Sequence, residues 1–119
     1  MKLEDLSNNE SIIKGISCND DILCLEILSW NGKRINVVFH NLYGIKANMA
    51  INAEIGDIKS VLSTPFSLEI KNDILSGDGS ESEYASLQKI VFYDSWGERC
   101  ILEVVAENVE IIERDDTKQ

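Results

Sequence analysis

The chain has 119 residues, 44% hydrophobic and 27% charged, with 21 acids against 11 bases and a formal charge of −10. That length suits one compact domain, and the apolar content is ample for a core, so two ordinary domains and wholesale disorder are excluded. The apolar runs span only a few residues, too short for a membrane-crossing helix, and the start Met1-Lys2-Leu3-Glu4-Asp5-Leu6 carries early acids where a secretory signal would need an apolar stretch.

The first ten residues are polar and weakly patterned, a short helix or a loose arm. Ile12, Ile13 and Ile16 then mark a first strand, ended by the turn-prone Asn19-Asp20-Asp21. Residues 22–30 place Leu23, Leu25 and Ile27 on one face and Glu26 on the other; residues 34–40 repeat the alternation with Ile35, Val37 and Phe39. Between them stands Asn31-Gly32, the dipeptide favoured by type I′ turns, so the whole reads as a β-hairpin. Ile51, Ala53 and Ile55, then Ile58 and Leu62 after a shift at Gly56-Asp57, predict a strand bulged at the glycine.

Thr64-Pro65 has the form of a helix start, with Thr64 as N-cap and Pro65 in the first turn. Phe66, Ile70 and Ile74 share one helical face, and Gly77 supplies a stop. A Gly/Ser/Asp loop follows over residues 76–80, and a helical turn over 81–87. Residues 90–95 alternate, the chain turns at Trp96-Gly97-Glu98, and residues 100–112 return as a strand expected to bend near Ala106-Glu107-Asn108. Residues 114–119 form a polar tail. The prediction is a single domain over residues 1–119 of the α+β class: a mostly antiparallel sheet built from hairpins, with one or two short helices.

The two hairpin turns echo one another. Ser29-Trp30-Asn31-Gly32-Lys33-Arg34 and Ser95-Trp96-Gly97-Glu98-Arg99 both set Ser-Trp before a glycine turn closed by arginine. Such a short match falls below what a repeat architecture requires.

Charge bears on partners. Residues 1–60 hold 8 acids and 6 bases, whereas residues 61–119 hold 13 and 5, so nearly all of the excess lies in the second half. A surplus of this sign argues against direct binding of nucleic acid or of anionic membranes. It serves either plain solubility or the steering of a basic protein partner. The cysteines Cys18, Cys24 and Cys100 form no CxxC pair and leave an odd thiol, which fits a reducing cytoplasm.

Little points to catalysis. His40, the only histidine, lies on the polar side of its strand, with no nucleophile signature to accompany it. One histidine and three scattered cysteines match no zinc spacing, and the acids around Asp78 fail the EF-hand pattern, so no metal or cofactor is expected. The phosphate-binding glycine motifs are missing as well. The aromatic residues offer more. Trp30 and Trp96 stand at hairpin ends, either capping the core under their own turns or presenting contact surface to a partner.

The hairpin over residues 21–35, the Tyr93-Asp94-Ser95-Trp96-Gly97 turn and the acidic single-domain size make the chain resemble small bacterial immunity proteins of polymorphic and contact-dependent toxin systems. The resemblance implies a non-enzymatic cytoplasmic protein that neutralises a cognate basic toxin by direct binding. The residues expected to make contact are Asp78, Glu81 and Glu83 in the acidic loop, with Tyr93, Asp94, Trp96 and Glu98 at the second hairpin. Two rival readings remain: an interaction module that self-associates, for example as a homodimer through an open sheet edge, and a small-ligand binder or enzyme.

Overall fold

The computed structural model of the chain describes residues 2–7, 11–29, 31–96 and 99–114, the side chain of Arg114 excepted. Trp30, Gly97, Glu98 and the tail beyond residue 114 lie outside the described residues. Six strands make up the sheet: β1 (Ser11–Asn19), β2 (Ile22–Leu28), β3 (Arg34–Ala47), β4 (Glu54–Ser60), β5 (Gln88–Asp94) and β6 (Cys100–Arg114). Two helices, α1 (Pro65–Ser76) and α2 (Glu81–Ala85), lie between β4 and β5, and a 3₁₀ turn over Leu3–Leu6 precedes β1. The α+β class with a dominant antiparallel sheet is therefore what the sequence forms.

The sheet closes on itself in the order β1-β2-β3-β6-β5-β4, every pair antiparallel. Two three-stranded meanders, β1–β2–β3 and β4–β5–β6, meet along a long β3–β6 seam and a short β1–β4 seam. The short seam consists of Ser11↔Ile55 and Ile12↔Glu54, with Ile13 bonded to Ala53 and Asn52 beyond them. Because the ring closes, no strand has a whole side left open. The echoing turns occupy equivalent places, one joining β2 to β3 and the other joining β5 to β6.

The core follows from strand parity. Leu23, Leu25 and Ile27 of β2, Ile35, Val37 and Phe39 of β3, and Phe92, Leu102 and Val104 of β5 and β6 fill the barrel interior, nearly all at zero exposure. Leu6 from the 3₁₀ turn joins them at 1% exposure. In β6 the inward face changes parity between Ala106 and Val109, which is the bend that the sequence suggested near Glu107. The opposing strand accommodates the change: Asn41 takes φ 54°, and Tyr43 is the extra residue where the register jumps from Leu42 to Gly44. The expected bulge at Gly56 is present, between Ile55 and Asp57.

Two local expectations are refined. The first hairpin does not close tightly around Asn31-Gly32. Ser29 N–H instead donates to the Lys33 carbonyl (2.9 Å) and Gly32 N–H to that of Ser29 (3.0 Å), giving a longer loop than a type I′ turn, with Gly32 at φ 81°. Second, β3 runs well beyond His40, to Ala47.

Candidate functional site: an acidic face around the second helix

α1 starts as its sequence dictates. Thr64 Oγ1 accepts from Ser67 N–H (3.0 Å) while Ser67 Oγ accepts from Thr64 N–H (2.8 Å), a reciprocal cap at the N-terminus. The Thr64 hydroxyl also donates to the carboxylate of Glu103, a residue of β6 that is only 7% exposed. One apolar face of α1 then settles on the outside of the barrel. Phe66, Ile70 and Ile74 pack with Val105, Leu87 and Tyr84 in a second small core. Gly44 of β3 makes room for this, since a Cβ there would stand 2.5 Å from Ile70 Cδ1 and 3.0 Å from Phe66 Cζ.

α2 is held by Tyr84. Its hydroxyl lies 2.8 Å from Ser67 Oγ, and its ring carries the ammonium groups of Lys89 at 4.2 Å and Lys71 at 5.5 Å from the centroid. Burial, and secondarily the charge of Lys71, lowers the pKa of Lys89. The lysines of this layer are thereby turned toward the protein: Lys89 is buried, and Lys71 is bonded at 3.3 Å to Glu81.

Acids dominate what remains on the surface. Asp78 and Glu81 are exposed, Glu83 is half-buried, and Glu69, Asp73 and Glu107 stand exposed on α1 and β6. Tyr43, projecting from the β3 bulge, donates its hydroxyl to Glu83 Oε2 at 2.7 Å. That hydrogen bond, then partial burial, then the charges of Glu83 and Glu107, raise the tyrosine's pKa. Sequence reasoning missed Tyr43 because the hairpin pattern ends at His40; Asn41 and Gly44, which interrupt the alternation of the strand on either side of it, were the local signals of a bulge.

The expected contact residues fall into two groups. Asp78, Glu81 and Glu83 lie together at α2, whereas Tyr93, Asp94 and Trp96 lie at the far end of β5, seven residues and roughly 20 Å further along the sheet. Glu98 lies outside the described residues. At the β5–β6 turn Asp94 is engaged by Arg99, whose Nε approaches Oδ2 at 3.7 Å and whose carbonyl accepts from Asp94 N–H at 2.9 Å. Tyr93 is half-buried beneath Lys59 Nζ, 5.5 Å from the ring centroid. Trp96 does not cap the core. It stands 84% exposed at the tip of its turn.

Among the described residues no group of three or more His, Cys, Asp or Glu side chains could hold a metal ion, and no helix is long and apolar enough to cross a membrane. His40 Nε2 sits 3.1 Å from Glu110 Oε1 on the outer surface. Comparison with known proteins returns no matching family model, curated protein or solved structure.

Proposed function

We propose that this chain is a non-enzymatic binding protein that neutralises a cognate bacterial toxin, basic in character, by direct contact. The observation that carries the reading is the acidic patch at α2: Asp78, Glu81 and Glu83 follow one another there, Glu107 joins Glu83 about Tyr43, and the lysines beside them are buried or already paired. A toxin that grips nucleic acid must carry positive charge, and such a face attracts it over long range and speeds encounter. Trp96 supplies a second kind of contact, a large exposed aromatic surface that would slow dissociation once covered. The resemblance to small acidic immunity proteins favours the same conclusion. No disulfide joins the three cysteines, in keeping with a cytoplasmic site of action.

The test is to mix the protein with the toxin domain encoded beside its gene, at low salt. A stable complex is expected, with the association rate of the triple variant Asp78→Asn, Glu81→Gln, Glu83→Gln reduced about ten-fold or more. Trp96→Ala should chiefly raise the dissociation rate. Failure to form any complex at low salt, or a complex indifferent to both changes, would overturn the reading.

A further inference from the structure

The barrel strands pair unevenly, and among the described residues β6 runs on well beyond its pairing with β5. β6 pairs with β3 as far as Arg114, but with β5 only as far as Ala106, because β5 begins opposite that residue at Gln88, where the chain emerges from α2. Among the described residues no strand pairs with residues 107–114 on that side. An antiparallel strand directs alternate backbone groups to each neighbour, so about four residues of this stretch aim their N–H and C=O groups away from β3. This stretch therefore presents backbone groups to which a further strand can bond, as does the part of β1 beyond its two-pair seam with β4; what sets this edge apart is the surface beside it.

Beside that edge the barrel mouth opens into a trough of about 370 Å³. Its apolar lining comprises Leu3, Ile58, Ile90, Val109 and Ile111, and the polar remainder is Ser60, Gln88 and the oppositely charged Lys2 and Glu4, which cancel in net charge. Val109 and Ile111 belong to the uncovered stretch itself. A strand added beside it would lay alternate side chains into the same trough. Charge decides between occupants. Glu107 and Glu110 are exposed along this stretch, and a second copy would bring the same carboxylates and a further −10. Like charges facing each other across paired strands are destabilising. A strand whose residues alternate between basic and apolar satisfies the edge, the trough and the carboxylates together.

We propose that residues 107–114 of β6 accept an extended strand from a basic protein, its apolar side chains filling the trough and its lysines or arginines facing Glu107 and Glu110. The inference goes beyond the toxin reading: of the residues named for that reading it shares only Glu107, and it holds for any basic protein that offers such a segment.

The probe is a synthetic peptide alternating valine and lysine, blocked at both ends, titrated into the full chain at low salt while backbone amide exchange is followed. Amides within residues 107–113 should gain at least ten-fold protection. A proline at the centre of the peptide, which removes a donor, should weaken binding about ten-fold, and replacing its lysines by glutamates should abolish it. Gln88→Arg sets a positive charge at the trough on an exposed position that the core does not need, and should also weaken binding about ten-fold. Ile111→Asp should do the same from within. Three results would each overturn the proposal: no protection of residues 107–113, equal binding of the glutamate peptide, or protection that arises without peptide as protein concentration rises, which would make the occupant a second copy.

Discussion

Tyr43 and Glu83 show how a single contact ties the barrel to its helices. The tyrosine reaches α2 only because the β3 bulge turns it outward, and its hydroxyl donates to Glu83 at 2.7 Å. Ionising Tyr43 would lose that bond and set its anion against Glu83 and Glu107, which is why its pKa is raised above the usual 10.0. The folded state then holds this proton more tightly than the unfolded chain, so the contact's contribution is complete below pH 10 and declines as the pH rises through the folded-state value. Glu83→Gln keeps an acceptor but removes the charge, and should bring the ionisation of Tyr43 back toward that of a free tyrosine. Tyrosinate absorbance in an alkaline titration measures the shift, with Tyr43→Phe identifying the step; an unchanged curve would show that the negative charge of Glu83 has no such influence. The same pair explains why the site was only half legible in the sequence. The carboxylates at 78, 81 and 83 are neighbours in the chain and could be grouped by reading alone, whereas Tyr43 meets them across forty residues. The expected company of Tyr93, Asp94 and Trp96 fails to join them for the opposite reason: they follow soon in sequence, but β5 is extended and carries them away.

At the scale of elements, the strong local signals are the ones that succeeded. The alternation in β2 and early β3, the Thr64-Pro65 helix start and the glycine bulge of β4 each depend on a few adjacent residues, and each is found where expected. What could not be read is where β3 ends and how the ring closes. The alternation in β3 is broken by Asn41 and Tyr43, and closure depends on two residue pairs between β1 and β4 that no local pattern encodes. Two substitutions probe these joints. Thr64 both caps α1 and donates to the largely buried Glu103, so Thr64→Ala removes a cap worth ~1 kcal/mol and also strands a carboxylate, adding ~1–3 kcal/mol. Urea denaturation should therefore register a loss larger than an ordinary cap, restored in good part by Thr64→Ser. Gly56 is tighter still, because a Cβ there would stand 1.9 Å from the carbonyl oxygen of Asp94, a backbone atom that cannot swing aside. Gly56→Ala should cost ~3 kcal/mol by forcing β4 from β5, whereas Gly44→Ala, which meets chiefly the mobile end of Ile70, should cost about 1 kcal/mol. Equal losses at the two glycines would contradict the packing described.

For the whole molecule the governing quantity is the charge of −10 within a body of radius of gyration 14.6 Å. At an ionic strength of about 0.01 M the screening length is roughly 30 Å, longer than that radius, so the carboxylates of β1–β2, the helical face and β6 all repel one another. At about 0.15 M it falls to roughly 8 Å, and only near neighbours still interact. Salt also weakens the favourable pairs, but Lys33–Glu113 at 3.7 Å and Lys59–Asp57 at 3.8 Å are exposed and contribute little. Self-repulsion is the larger of the two effects, so the fold should gain on the order of 1 kcal/mol across this salt range, read as a rise in the urea midpoint at constant slope. Stability that fell with salt would mean that the ion pairs outweigh the excess charge. The sign matters for function as well, because the same increase in salt should slow association with a basic partner. Binding that weakens while the fold grows firmer cannot be a by-product of unfolding, which leaves the attraction between the acidic surface and its partner as the cause.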